Sequence, residues 1–299
     1  MKTEKRERAG ERAAGLFFSG CAAVSVLAVG AVAFYLIAKG LPAVIKVGPG
    51  DIFLGTEWKP TAEVPKFGIL YILLTSAAGT LLAALIGVPA GILTAVYLTE
   101  VSDAKKGRIV SDAVEVLAGV PSVIYGLLGV YLLNPVMYRL ERKLFAYSGT
   151  HQFTGGANLF SAAVVLAVMM LPTIIHISET AIRSVGADIR AASAALGASK
   201  VQTIFRSVLP AARPGIVMAV VLGVGRAVGE ATAITLVSGG SINAPFPFRS
   251  VRFLTTAIVS EMGYSQGLHR QMLFTIALVL FAFILLVNLA AKLILKGRN

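Results

Sequence analysis

The chain has 299 residues, of which 56% are hydrophobic and 14% charged, and its formal net charge is +12. So little polar side-chain surface cannot cover a soluble globule, and the composition also excludes an acidic disordered chain. The excess of 27 Lys and Arg over 15 Asp and Glu fits nucleic-acid binding only if it gathers on one water-facing surface.

A hydrocarbon core of about 30 Å takes about 20 apolar helical residues, so charge-free runs of that length predict the architecture. A basic segment, 1–12, is expected to be a cytoplasmic tail. The first run, Ala13 to Ala38, has 26 residues, against roughly 7 to 15 in the apolar part of a cleaved signal peptide. It therefore reads as a retained anchor, transmembrane helix 1 over 13–38, followed by an external loop over 39–66. Residues 67–291 form the main transmembrane domain, helices 2 to 6. The second run, Phe67 to Thr99, contains Gly87-Val88-Pro89-Ala90-Gly91, which predicts a kink or a helix that continues beyond the bilayer. The third spans Val116 to Tyr138 and is entered through Asp112 and Glu115. The fourth covers about Ala157 to Ile177. The fifth is expected to begin at Pro214, a first-turn proline, and to reach about Leu236. The sixth is Gln271 to Ala291, followed by a basic tail, 292–299. The predicted fold class is all-α, a polytopic membrane protein with six transmembrane helices.

Six spans place both termini on one side. With the N-terminus inside, alternate connections hold 16 Lys and Arg on the cytoplasmic side and 10 outside, so the positive-inside bias predicts that both termini are cytoplasmic. The basic excess is then a topology signal, and no nucleic acid is expected as a partner. The single Cys21 and the widely separated His151, His176 and His269 offer no disulfide or ligand spacing, so no metal site is expected.

Residues 178–213 carry helix punctuation. Asp188 is placed to cap a short alanine-rich helix through Leu196, and Gly197 to end it in a left-handed conformation. Ser199-Lys200-Val201-Gln202 has capping-box spacing for a second helix, which Pro210 is expected to terminate. On local signals this hairpin is either a solvated connection or a shallow docking surface. Tethering between two spans makes a DNA-reading helix-turn-helix a poor third reading.

The stretch RAASAALGASKVQTIFRSVLPAARPGI, Arg190 to Ile216, resembles the EAA loop of permease subunits of bacterial ABC importers. Ala192, Gly197, Leu209 and Pro210 match that pattern, whereas Ala191 stands where glutamate is usual and Ser207 where an aliphatic residue is usual. The resemblance implies the type I ABC importer permease fold and a coupling helix that fits a groove on a cytoplasmic ATPase. The coupling positions it implies are Ala191, Ala192, Gly197, Ala198, Leu209 and Pro210.

Arg226 lies 12 residues beyond Pro214, about 18 Å along a helix, which places it near the bilayer midplane. A charge there is costly and needs a partner or an anionic ligand. Glu230, one turn further on the same face, can be that partner. Two readings follow: an ion pair that orients the helix, or a guanidinium that meets an anion in a pathway while Glu230 tunes it. Hydrogen phosphate accepts from guanidinium and donates through its own hydroxyl, so a nearby carboxylate favours it over fully deprotonated sulfate. Gly225 and Gly229, four residues apart, are expected to allow close helix packing. Ser122, Tyr125 and Glu115 cluster around Pro121, where a broken helix either exposes backbone to a pathway or forms a packed kink. Trp58 and Phe67 read as contacts for an external protein or as an interfacial aromatic anchor. No GxxxxGK[ST] segment occurs, so the chain is not a P-loop ATPase, and no nucleophile, base and metal constellation supports an enzyme.

GVGRAVGEATAI, Gly223 to Ile234, resembles the G-R-A-x-G-E segment of phosphate importer permeases, with Ala231 where threonine often follows. FLGTEWKPTAEVPKFGIL, EVLAGVPSVIYG and SVRFLTTAIVSEMGYSQGLHRQMLF are similar to the PstC-type subunit of that family, and the resemblance runs from about residue 15 to the end. It implies a permease that moves inorganic phosphate across a bacterial or archaeal cytoplasmic membrane and binds no cofactor itself. The implied partners are a PstA-type permease, a PstB-type ATPase dimer that uses ATP, an external PstS-type phosphate-binding protein and membrane lipid. Arg226 and Glu230 are the first pathway candidates, with Ser122, Tyr125 and Glu115 beside them. The alternatives are the same machine for sulfate or molybdate, or a secondary transporter acting alone. The EAA-like loop argues against the last, because an autonomous carrier needs no docking surface.

Overall fold

Every predicted span is helical in the computed structural model, which describes residues 2–296, with side chains for 15–290, 292 and 293. Met1 and 297–299 of the predicted tails lie outside the described residues. The elements in order are α1 (Lys2–Val47), α2 (Pro49–Phe53), the antiparallel pair β1 (Trp58–Lys59) and β2 (Lys66–Phe67), and α3 (Leu70–Val96). Then come α4 (Ala104–Gly119), α5 (Ser122–Leu128), α6 (Asn134–Leu144), α7 (Leu159–Arg183), α8 (Ala187–Ala195) and α9 (Lys200–Thr203). The chain closes with α10 (Leu209–Gly229), α11 (Thr232–Val237), α12 (Leu254–Glu261) and α13 (Gly267–Lys296). Wide π-turns continue three of them without a break, at Tyr97–Val101, Gly129–Leu133 and Ile204–Val208. Among the described residues six segments are long and apolar enough to cross a bilayer: Gly15–Val47, Leu70–Val101, Ser122–Leu144, Leu159–Arg183, Lys200–Gly229 and Gly267–Ala290.

Lipid tails are as apolar as leucine, so membrane helices associate where small residues let their backbones approach. That rule builds the core around α7, whose Leu159, Leu166, Met170 and Ile174 are fully buried. On α3, a β-carbon added at Gly87 would lie 3.1 Å from the Ala167 carbonyl oxygen, and one at Gly91 would lie 2.6 Å from Ile174 Cγ2. On α10, one at Gly223 would lie 2.7 Å from Ile174 Cγ1, and one at Gly215 would strike Ala181. The glycines around Pro89 therefore serve packing, and α3 runs through them unbroken and onward to Val101. On the far side, Gly40 of α1 meets the α13 backbone, where Thr275 Oγ1 donates to its carbonyl at 2.8 Å.

Three boundaries differ from the sequence reading. Helix α1 continues through Lys39 and Pro42 to Val47, shortening the predicted external loop. The fifth span does not start at Pro214, and Pro210 does not end the helix before it. Pro210 lacks an N–H, and the π-turn at Ile204–Val208 carries the helix past it, so Lys200–Gly229 is continuous with Pro214 in its interior. The third span starts at Ser122, because Val120 precedes a proline and is extended, at φ −74° and ψ 126°.

Trp58 and Phe67 are not surface contacts. They face each other across the β1–β2 pair with ring centroids 5.8 Å apart, and both are buried. The indole donates to buried Glu261 at 2.9 Å, and Glu261 also takes Arg252 and His269. The hairpin thus closes a second apolar cluster with Ile69, Ile72, Leu254 and Leu273.

Candidate functional site

The depth of Arg226 follows from helix packing. Helices α7 and α10 run antiparallel, with Gly215 against Ala181 and Gly223 against Ile174. Three residues beyond Gly223, Arg226 comes level with Leu171, halfway along α7. It is exposed on this chain, on a face shared with exposed Met218 and Leu222. It enters none of the ion pairs among the described residues.

The expected Arg226–Glu230 pair is absent among the described residues because the helix stops between the two. Helix α10 ends at Gly229, and Glu230 turns out of helical geometry at φ −73° and ψ 131°. Its Oε1 accepts the Ala233 N–H at 3.0 Å, which satisfies an orphan donor of α11, and its carbonyl accepts the Thr255 hydroxyl at 2.7 Å. Gly225 and Gly229 do not serve packing within the described residues either: a β-carbon at each meets none of their atoms within 4 Å. The glycine that permits close approach here is Gly223.

A second break lies alongside the first. Gly126 of α5 sits against Ala233 and Leu236 of α11, and Gly129 against Val237. Helices α5 and α11 therefore run side by side, and the breaks at Val120-Pro121 and Glu230-Ala231 fall at the same end of the pair. Tyr125 is buried, and its hydroxyl donates to the Leu117 carbonyl at 2.6 Å, closing backbone left open at the first break. Ser122 opens α5 at the break and is half-buried, whereas Glu115 stays on the exposed face of α4. The structure thus gathers Arg226, Tyr125, Glu230 and Ser122 around two neighbouring helix breaks and leaves Glu115 one turn before them.

At one end of the molecule α8 and α9 form the alanine-rich hairpin. Helix α8 starts at Ala187 with Gly186 as its cap, so Asp188 is not the cap but a first-turn carboxylate that suits the helix dipole. Gly197 takes φ +77°, its N–H bonds to the Ala194 carbonyl, and the Ala198 N–H bonds to that of Ser193. This is the full Schellman closure. Ser199 and Gln202 form both halves of the capping box. Ser207 is a hydrogen-bonding residue: its hydroxyl and that of Thr203 both converge on Ser193, at 3.5 and 2.9 Å. The outer surface is a shallow concavity of about 550 Å³ lined by Ala192, Leu196, Gly197, Ala198 and Arg206 among others. Leu196 is 90% exposed beside it, and Ala191 is exposed on α8. Leu209 packs instead on the cluster of Ala95, Ile182 and Val208, and Pro210 is exposed at the start of α10.

One residue escaped the sequence reading. Arg190 reaches from α8 to Glu100 at the end of the second span, at 2.6 Å. An arginine within an alanine-rich helix, and a lone glutamate closing an apolar run, were the available signals.

Six helices long and apolar enough to cross a bilayer, two interior breaks beside an exposed guanidinium and a capped hairpin at one end are the features of a multi-pass membrane protein. The chain belongs to the family described as binding-protein-dependent transport system inner membrane component, which matches residues 87–298. It is 36% identical to the probable ABC transporter permease protein YqgH of Bacillus subtilis, over 91% of this chain and 88% of that protein. It is 32% identical to the phosphate transport system permease protein PstC of Xylella fastidiosa, over 90% and 89%. It is 30% identical to PstC 2 of Mycobacterium tuberculosis, over 97% and 93%. Its fold is that of type I ABC importer permeases. A bacterial ABC transporter involved in the import of the acidic polysaccharide alginate superposes with a TM-score of 0.55 at 17% identity, over 88% of this chain and 96% of that one. The MetNI methionine ABC transporter superposes with a TM-score of 0.53 at 22% identity, over 77% and 94%.

Proposed function

We propose that this chain is the PstC-type permease of an ATP-driven importer of inorganic phosphate, with both termini in the cytoplasm. The observation that carries the reading is Arg226, level with the middle of α7 on an open face and without a counter-ion among the described residues. A guanidinium at that depth is not stable against lipid, so the face must be covered by protein and must line a polar path. A homologous PstA-type permease is the natural cover, since Gly225 and Gly229 leave room for close approach on that side. The relatives named as phosphate permeases support phosphate as cargo.

Arg226 offers a planar fork of donors to the oxyanion. The Glu230 Oε1 is held by Ala233, which aims the carboxylate and leaves Oε2 to accept a hydroxyl from hydrogen phosphate. Selectivity then rests on protonation of the ligand. Sulfate brings no such donor and faces a repelling carboxylate.

Energy comes from outside the chain. A PstB-type ATPase dimer binds ATP and docks on the Leu196 concavity, and its closure moves the hairpin and switches the breaks between outward and inward access. A PstS-type protein delivers phosphate to the opposite face, and no cofactor is held by this chain.

The test is uptake by the assembled complex in ATP-loaded proteoliposomes supplied with its binding protein. ATP-dependent accumulation of labelled phosphate, resisting excess sulfate and molybdate, is the expected result. Accumulation of sulfate or molybdate in its place assigns the other oxyanion, and uptake without ATPase returns the autonomous carrier.

A further inference from the structure

The first arm of the hairpin, α8, is clamped to the ends of the second span and of α7 by one side chain, Arg190. The Arg190 guanidinium gives Nη2 to Glu100 Oε1 at 2.6 Å and Nε to the same oxygen at 3.3 Å. It also gives Nη1 to the Val185 carbonyl at 2.5 Å and to that of Gly186 at 3.3 Å, and Nη2 to the Ile182 carbonyl at 3.1 Å. Ile182 lies in the last turn of α7 and Val185 just beyond it, where the helix dipole favours a cation. Glu100 lies in the π-turn that ends the second span, its side chain only 11% exposed. Neighbouring Arg183 is engaged by Glu179 at 2.8 Å and does not compete. Only a rigid, planar five-donor fork can hold a carboxylate and three carbonyls at once.

The two arms of the hairpin are therefore attached in different ways. The α9 arm runs covalently into α10, the helix that carries Arg226. The α8 arm enters through Gly186 and leaves through Gly197. Besides the bonds of Ser193 to Thr203 and Ser207 on the following arm, Arg190 is, among the described residues, its polar tie to the rest of the protein. That tie lands on the ends of the second span and of α7, and α7 is the helix against which Gly215 and Gly223 of α10 pack. Ala191 next to it supplies no carboxylate.

We infer that the Arg190–Glu100 clamp is the rigid joint through which movement of a docked ATPase reaches the membrane helices, Arg190 acting as a positioning residue. The inference rests on the importer reading given above. With Arg190 in place, a push on α8 displaces the ends of α3 and α7 together. Without it, α8 swivels between its two glycines and the push is dissipated.

The experiment uses the assembled complex, with nitroxide labels at cysteines replacing Ala195 and Lys105 in a Cys21→Ser background. Pulsed EPR reports the distance between α8 and the start of α4, while proteoliposomes report anion moved per ATP hydrolysed. Wild type should give one narrow distance with and without ATP. Arg190→Ala should keep its ATPase and basal hydrolysis, broaden the distance distribution, and lower transport per ATP about tenfold, within the range for residues that carry coupling between sites. Arg190→Lys, with the charge but not the fork, should fall between. Should Arg190→Ala fail to assemble, Glu100→Gln decides, since it keeps the acceptor and the volume but halves the clamp.

A narrow distance with an unchanged transport ratio in these variants overturns the clamp. If the wild-type complex moves no phosphate, the cargo assignment fails, and the EPR distances alone decide the clamp: broadening supports it and no broadening overturns it.

Discussion

The Glu230 carboxylate accepts the Ala233 N–H at 3.0 Å and so starts the short helix that resumes after the break in the fifth span. One side chain is thereby both a cap and a candidate for the ligand's hydroxyl, and substitutions separate the two. Glu230→Ala removes the cap and should cost about 1 kcal/mol of stability, read as a lower unfolding temperature of the purified complex. Glu230→Gln keeps a capping oxygen and should unfold as wild type does, while its preference for phosphate over sulfate narrows.

The glycines divide into two classes with opposite expected phenotypes. Gly223→Val puts a side chain into Ile174, and overpacking of this kind costs about 1 to 3 kcal/mol, so the chain itself should unfold at a lower temperature. A β-carbon at Gly225 meets nothing within 4 Å among the described residues, so Gly225→Leu should leave the unfolding of this chain unchanged. If a second permease covers that face, Gly225→Leu should instead prevent co-purification of the pair. Normal pairing in that variant places the partner elsewhere.

Leu196 and Gly197 test the docking surface. Leu196→Glu removes an apolar anchor whose burial by a partner is worth about 1.5 to 3 kcal/mol, so ATPase association should weaken roughly ten- to a hundredfold while the permease folds normally. Gly197→Ala places a β-carbon at φ +77°, which costs about 1 kcal/mol or more, and should loosen the hairpin by disturbing the Schellman closure. Both are read by titrating the ATPase against the detergent-solubilised permease.

The β1–β2 hairpin should be sensitive to pH. Hydrogen bonds from Lys59 and then Lys66, with their charges, hold the Glu57 carboxyl below its ordinary value of 4.5. A carboxyl whose folded value lies below its unfolded one contributes stability above the unfolded value and loses it as pH falls through the folded one. The hairpin pairs are thus intact at neutral pH and open on acidification. NMR of isotope-labelled glutamate should show Glu57 titrating below 4.5 at low salt and moving back towards it at high salt, because exposed pairs are screened. A salt-independent midpoint contradicts the assignment.

Much of this arrangement was legible in the sequence because it follows from hydropathy and local chemistry. Charge-free runs located all six spans, Gly197 and the Ser199–Gln202 box gave the hairpin turn, and Arg226 stood out as the charge no loop could hold. What stayed hidden depends on long-range geometry. The Arg226–Glu230 pair is correct on an unbroken helix and disappears because α10 ends at Gly229. Pro210 and Pro214 read as boundaries, yet a π-turn upstream absorbs the missing donor. Trp58 looked like a surface aromatic because nothing nearby in sequence shows Glu261, its partner more than 200 residues away. Arg190 and Glu100 are 90 residues apart and meet only when α3 and α7 end side by side.

The most direct measurement is ATP-dependent uptake of labelled phosphate by the assembled complex carrying Arg226→Ala, with assembly and basal ATP hydrolysis confirmed in the same preparation. A pathway guanidinium predicts loss of phosphate uptake with the complex intact and partial recovery in Arg226→Lys. Wild-type uptake by the intact Arg226→Ala complex would contradict the assignment and leave Arg226 with a packing role alone.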